Sequence, residues 1–247
     1  MIASVDNKLF KSLKALTTKK GIREQQRSLL AGKKLCTEYI HKNKGNHDFF
    51  WIKEKHHALP MGDFQNTVTL SKGLFSLLDE SGSHAPLLSL PVPQIFPEQS
   101  SEKSLNPKLP TLYLSLGDPN NMGAVLRSAK AFGILQIVLL KEACLPFLPK
   151  ALRTSSGYAL DFTYFQGPSI QDLTGESIHG LDMAGTPLDQ STLPRNFHLL
   201  VGQEGQGLPS SFSGPRLAIA MAPGVESLNA AVTVGICLHH WQSQVES

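Results

Sequence analysis

Three short segments concentrate the residues of this chain that can do chemistry. The last in order, Ser227-Leu228-Asn229, follows an apolar run from Leu217 to Met221 and opens a helix-like stretch. Its Ser and Asn offer a hydroxyl and an amide at a helix start, where either could act on a ligand or simply cap the helix. The second, Gly202-Gln203-Glu204-Gly205-Gln206-Gly207, places three glycines in six residues after an apolar run. Such a backbone can wrap closely round a ligand, with Glu204 orienting a hydroxyl or an arginine, or it can be a plain Gly-rich turn. The spacing G-x-x-G-x-G is not the dinucleotide fingerprint, and no Gly-Lys-Ser or Gly-Lys-Thr follows, so nicotinamide and ATP binding are excluded on motif. The first segment runs from Asp118-Pro119-Asn120, read as a turn, through Asn121 and Gly123 to Arg127. Asn121 carries a donor and an acceptor, and Arg127 is a fixed cation in an apolar stretch, suited to a phosphate. A helix N-cap and a surface arginine would explain the same residues.

The elements that must position these residues form an alternating pattern. Strands are expected at 111–116, 134–140, 160–165, 178–183, 197–201 and 217–220, with helices at 121–132, 149–156 and 229–241. The run 134–140 is almost continuously apolar, as in a strand buried on both faces. Alternation of this kind predicts an α/β fold with a parallel sheet, whose ligands sit at the carboxyl ends of the strands. Each special segment lies just after a predicted strand, so the three can converge.

Before residue 98 the pattern differs. Residues 22–42 read as a helix with a stripe of Ile22, Leu29, Cys36 and Ile40, unless Gly32 breaks it and leaves 28–31 as a strand. Strands are expected at 49–52 and 67–70, with Ser71 capping a short helix over 72–78. The proline-punctuated stretch 87–97 reads as extended, with one edge strand. Residues 98–110, rich in Ser, Glu, Lys and Pro, read as a linker. The organisation is therefore a domain over 1–97, a linker over 98–110 and a second domain over 111–247, and no internal repeat is present.

Composition bounds the rest. The chain has 247 residues and a net charge of +3. No apolar run reaches the roughly 18 residues of a membrane span, and the first 20 residues have no signal-peptide core, so a cytoplasmic protein without membrane attachment is expected. Cys36, Cys144 and Cys237 are scattered outside any metal spacing and read as reduced thiols, with no metal expected. The first quarter is rich in Lys and Arg, including Lys19, Lys20, Arg23 and Arg27. Such clustering suits phosphates, although a solvated helix face would look alike.

Taken together, N-x-G-x-x-x-R with a following Phe132-Gly133, then G-x-E-G-x-G-L, then I-x-M with S-L-N, resemble the three motifs of the SpoU (TrmH-like) RNA methyltransferases of the SPOUT superfamily. The resemblance covers 111–247, and Lys150-Ala151-Leu152-Arg153-Thr154-Ser155-Ser156-Gly157 is similar to another stretch of that family. It implies a parallel α/β sheet whose C-terminal segment forms a deep trefoil knot, a homodimer, and methyl transfer from S-adenosylmethionine to a ribose 2′-hydroxyl of RNA. The implied cofactor positions are Val201, Gly202, Ile219, Met221 and Leu228, with Gly185 in a further loop. Asn121, Arg127, Glu204, Ser227 and Asn229 take the catalytic places, and Arg153 reaches RNA phosphate from the partner subunit. The family gives Arg127 the hydroxyl's proton; a guanidinium, which rarely gives up its own proton, is better suited to orienting the hydroxyl and its adjacent phosphate. The part before the linker resembles, more loosely, a small α/β ribosomal-protein-like RNA-binding domain, in which Lys19, Lys20, Arg23 and Arg27 would meet RNA. Two positions depart from the family pattern: Ala220 stands where proline is usual, and Ala230-Ala231-Val232 where Val-Ser-Val is usual. A separate basic domain favours ribosomal RNA. The alternatives are transfer RNA, methylation of a base, and a non-catalytic RNA-binding or ribosome-assembly protein.

Overall fold

The computed structural model describes residues 1–45, 48–60, 66–97, 104–173, 175 and 177–245. The chain divides into two compact units, Met1–Pro93 with Leu145–Leu160, and Gln94–Cys144 with Asp161–Ser247.

The first unit begins with α1 (Lys8–Ala15), capped by the Asn7 side chain on the amides of Leu9 and Phe10, and α2 (Lys19–Gln25), capped by Thr18. Gln26 then turns left-handed and ends the helix before β1 (Arg27–Ala31). Gly32, at φ 107°, leads into α3 (Lys33–Lys42). The stripe from Ile22 to Ile40 therefore belongs to two helices and a strand, with the break at Gly32 as the second of the two sequence readings has it. Next come β2 (Phe50–Glu54), β3 (Thr67–Leu70), α4 (Lys72–Leu78) and β4 (Leu87–Pro91). Ser71 stands at the start of α4, but its side chain makes no capping bond. The sheet order is β1-β4-β2-β3, with β4 antiparallel to both its neighbours. The edge strand expected within 87–97 is confined to 95–97, and β4 is interior: its proline falls on the last residue, and Leu87, Leu88 and Leu90 are buried. The core gathers Phe10, Leu13 and Leu16 of the first helix and its end with Leu29, Ile52, Leu70 and Phe75.

The second unit opens with β5 (Ile95–Pro97), the outer strand of its sheet. Residues 98–103 of the expected linker lie outside the described residues. The part that follows is fastened down: Gln136 donates to Asn106 O at 2.8 Å and to Thr111 Oγ1 at 2.7 Å. β6 (Thr111–Leu114) leads to α5 (Pro119–Ala131) and β7 (Gln136–Leu139). The chain then contributes α6 (Pro149–Thr154) to the first unit, and returns through β8 (Thr163–Gln166), β9 (Ile178–Pro187), β10 (His198–Val201), β11 (Arg216–Ala218) and α7 (Ala230–Val245). All seven strands are parallel, in the order β11-β9-β10-β6-β7-β8-β5. Every residue of β6 and β7 is buried, as a sheet covered on both faces requires. No described helix is long and apolar enough to cross a membrane.

Candidate functional site

The site forms where β6, β9, β10 and β11 end or bend. Asp118 takes the second of its two sequence readings, the helix cap rather than the turn. It is the N-cap of α5, its carboxylate accepting from the amides of Asn120 and Asn121 at 2.9 Å, with Pro119 at the first helical position. The cap fixes where Asn121 stands, one turn into the helix.

After β10 the chain makes a tight loop closed by a bridge between Gln203 and Gly207. A Cβ at Gly202 would lie 2.7 Å from the Gly207 carbonyl oxygen, so only glycine lets the loop close, and the loop carries Glu204 at its tip. Among the described residues no helix follows it. β9 contributes through an irregularity: Arg216 of β11 pairs with Gly180, but Leu217 pairs with Thr186. The intervening residues of β9 bulge out and deliver Leu181, Asp182 and Met183. Asp182 is held by an ion pair with Arg216 and by the Ala184 amide at 2.9 Å. After β11, the run from Ile219 to Asn229 leads into α7, whose start is capped by Asn229 rather than Ser227. The Asn229 Oδ1 accepts from the Ala231 amide at 2.9 Å.

These segments enclose an open cavity of about 660 Å³. Val201, Leu217, Ile219, Met221 and Leu228 supply apolar wall; Asp182, Glu204 and Glu226 supply carboxylates; Asn121, Ser227 and Asn229 supply neutral polar groups. A chain of hydrogen bonds ties the three motif segments together. The Gly117 amide donates to Glu204 Oε2 at 3.1 Å, Asn121 Nδ2 donates to Glu204 Oε1 at 3.2 Å, and Asn229 Nδ2 donates to Asn121 Oδ1 at 2.8 Å.

Of the residues expected from sequence, the cavity thus brings together Asn121, Val201, Gly202, Glu204, Ile219, Met221, Ser227, Leu228 and Asn229. Gly185 and Arg127 do not line it. A Cβ at Gly185 would lie 2.5 Å from the Arg216 carbonyl carbon, so that glycine serves the close approach of β9 and β11. Arg127 is exposed on α5, six residues beyond Asn121 and so on a different face of the helix. Arg153 belongs to the first unit, where its Nη1 donates to Ser81 O at 2.7 Å. Lys19, Lys20 and Arg23 are exposed on α2, with Lys20 3.8 Å from Glu24. Arg27 is instead engaged within the fold, by Asp48 at 2.5 Å, by Ser89, and with its guanidinium 5.3 Å from the centre of the Phe50 ring. Sequence reasoning missed Leu181, Asp182, Met183 and Glu226. The signal for the first three is a strand register that breaks opposite β11, which no periodicity carries. Among the described residues no group of three or more His, Cys, Asp or Glu could hold a metal ion.

Comparison with known proteins agrees with this geometry. The family model described as the SpoU rRNA Methylase family matches residues 112–239. Ribosomal RNA small subunit methyltransferase G 2 of Syntrophobacter fumaroxidans is 35% identical over 97% of this chain, which spans about half (48%) of that relative's length. An uncharacterized tRNA/rRNA methyltransferase of Synechocystis, slr1673, is 31% identical over 98% of this chain and 93% of its own. A solved RNA 2′-O ribose methyltransferase superposes with a TM-score of 0.75 over 100% of this chain and 99% of its own, at 19% identity. The SpoU methyltransferase AviRb from Streptomyces viridochromogenes, solved in complex with AdoMet, superposes at 0.77 over 98% and 99%, at 18% identity. At these identities the superpositions show a shared fold. The family match spans over half the chain and contains the Asn121, Glu204 and Asn229 that the cavity joins; the chain belongs to the SpoU rRNA methylase family.

Proposed function

We propose that this chain transfers a methyl group from S-adenosylmethionine to a ribose 2′-hydroxyl of RNA, with ribosomal RNA as the substrate. The observation that carries this reading is the convergence of all three motif segments on one cavity, joined through Asn121, Glu204 and Asn229. A non-catalytic RNA-binding protein would have no need of that hydrogen-bonded junction.

The residues present suit the cofactor. Val201, Leu217, Ile219, Met221 and Leu228 give a flat apolar ring a place to lie, and the Gly202–Gly207 loop offers bare backbone beside it. When bound, the cofactor supplies an electrophilic methyl group on a sulfonium. The protein's part is largely positioning, which can lower a barrier by several kcal/mol. Ser227 and Asn229 hold the target hydroxyl, while Glu204 and Asn121 keep the junction in shape. Arg127 orients the hydroxyl and its neighbouring phosphate through its forked guanidinium N–H donors.

Arg127 is exposed, and so are Val232 and Ile236 one turn apart on α7, at 51% and 40%. An apolar pair of this kind on the last helix supports a homodimer in which a second copy completes the site. The strand order supports a C-terminal trefoil knot. After β10 the chain adds β11 beyond β9, then sends α7 back onto α5. In the first unit, Lys19, Lys20 and Arg23 give a basic face for RNA phosphate, with Arg153 a further contact, and together with the family match they favour a cytoplasmic RNA enzyme. The test is to map 2′-O-methyl sites in total RNA from cells with and without the protein. One or more sites should disappear with it. Arg127→Ala should abolish transfer while leaving S-adenosylmethionine binding by calorimetry near wild type, and full activity in that variant would remove Arg127 from the mechanism.

A further inference from the structure

The hydrogen bonds at the junction have a direction, and that direction has a source. At one end stands Glu204, whose carboxylate accepts and cannot donate. At the other end stands the Ala231 amide, which donates and cannot accept. Between them lie two side-chain amides, Asn121 and Asn229, each of which could in principle face either way. Glu204 Oε1 accepts a hydrogen bond from Asn121 Nδ2, so Asn121 must turn its oxygen to Asn229. The Ala231 amide takes Asn229 Oδ1, so Asn229 must turn its nitrogen to Asn121. Reversing either amide sets oxygen against oxygen or N–H against N–H. The Gly117 amide, donating to Glu204 Oε2, holds the carboxylate in register.

We infer that Glu204 is a positioning residue that acts through Asn121: its charge fixes the polarity of the Asn121–Asn229 pair, so that Asn229 presents an N–H donor to an oxygen of the target ribose. The inference rests on the ribose reading above and deepens it. A donor aimed at the hydroxyl oxygen stabilises negative charge as the proton leaves, whereas an acceptor there would oppose it. Asn229 itself does not receive the proton, since a neutral side-chain amide is not a base.

The chain of reasoning predicts that polarity can be restored by moving the charge one residue along. In Glu204→Gln the new amide and Asn121 meet with no orientation that satisfies both neighbours. In Asn121→Asp two carboxylates face each other. In the double variant E204Q/N121D, the amide at position 204 accepts from Gly117 and donates to the carboxylate at position 121. That carboxylate in turn accepts from Asn229, which keeps its native direction. Transfer of tritiated methyl from S-adenosylmethionine to total RNA from cells lacking the gene is the assay. Each single variant should lose about 10²-fold in kcat, the scale of one lost or misdirected transition-state donor, with S-adenosylmethionine affinity by calorimetry within threefold of wild type. The double variant should regain at least tenfold over either single. A double variant no better than the worse single overturns the proposal and makes Glu204 a direct participant.

A second readout is independent of activity. With ¹⁵N-asparagine labelling, the side-chain amide resonances of Asn229 should shift in E204Q and return in E204Q/N121D; resonances unmoved in E204Q overturn the relay. If E204Q does not fold, Asn229→Asp tests the donor itself, because it keeps the cap on α7 and sets a carboxylate oxygen in place of the N–H; full transfer by that variant overturns the proposal. Should the wild-type protein transfer no methyl group at all, the ribose reading fails, while the amide resonances still decide the relay.

Discussion

Gly185 offers the sharpest separation between a residue that lines a ligand site and one that builds it. A methyl group added there would lie 2.5 Å from the Arg216 carbonyl carbon, 2.6 Å from its oxygen and 2.7 Å from the Leu217 amide nitrogen. Ordinary contact starts at 3.4 Å, so Gly185→Ala falls about 0.9 Å short of the room it needs. The obstacle is the Arg216–Leu217 peptide of β11, backbone that cannot rotate away. The strand that must yield is β11, three residues long and at the edge of the sheet. Overpacking of this kind costs about 1–3 kcal/mol. For a chain of this size each kcal/mol is worth about 2–4 °C, so the melting temperature should fall by roughly 2–12 °C. The displaced strand also carries Leu217 and leads to Ile219 and Met221, three walls of the cavity. S-adenosylmethionine affinity should therefore fall with stability, not instead of it. Thermal unfolding with and without the cofactor, alongside calorimetry, reads both quantities. If the variant melts with wild type and only the affinity drops, Gly185 faces the ligand directly and the packing argument is wrong. If neither changes, the sheet absorbs the methyl group and the close approach has no consequence.

Other perturbations follow from burial and capping. Burial pushes the thiols of Cys36 and Cys237 up to about 12, while Cys144 is only partly buried. Iodoacetamide at pH 8 should therefore label one thiol in the native protein and three after denaturation. Burial also lowers the pKa of His179 and His198 below the usual 6.5, only partly opposed by their backbone hydrogen bonds. In the unfolded chain these imidazoles take up protons first, so stability should be full above about pH 6.5 and fall as the pH drops through the folded values. Replacing both with phenylalanine should flatten that part of the curve in urea titrations between pH 5 and 7. Asn229→Ala removes the cap of α7 and should lower stability by about 1 kcal/mol, whereas Asn229→Asp should keep most of it; equal losses in urea unfolding would mean that the Ala231 contact contributes nothing.

Much of the second unit was legible because its signals are local. β7 reads as a buried strand from an apolar run, and α5 and α7 from their periodicity and the Asn and Gly residues near their ends. The first unit was harder, for a physical reason that Gln26 and Gly32 make plain. Spacing of Ile22, Leu29, Cys36 and Ile40 fits a helix, but two residues at positive φ cut that stretch into helix, strand and helix. A non-glycine in the left-handed region, such as Gln26, leaves no mark in composition. β4 was not separated from the edge strand because Pro91, Pro93 and Pro97 punctuate the whole stretch, although Pro91 is the last residue of β4 and costs the sheet no interior hydrogen bond.

At the site, residue identity was readable and connectivity was not. Glu204 looked free to orient an arginine, and Ser227 looked like the cap of the last helix. The cap is instead Asn229, whose oxygen accepts from the Ala231 amide, and Asn121 stands between Glu204 and Asn229. Sequence separations of 83 and 108 residues hide that fact, because a parallel sheet brings distant strand ends together without any local sign. Once the three are joined, the roles sort themselves. Glu204, whose carboxylate accepts from Gly117 and Asn121, faces the junction, and Asn229, whose oxygen accepts from the start of α7, has its second amide N–H left to give. Ser227, which makes none of these bonds and lines the same cavity, is left as the polar group with both its donor and its acceptor available to the ligand. On the proposed reading the three motifs divide the work, one supplying charge, one direction and one contact. That division explains why neither a lone S-L-N nor a lone G-x-E-G-x-G would suffice to build the site.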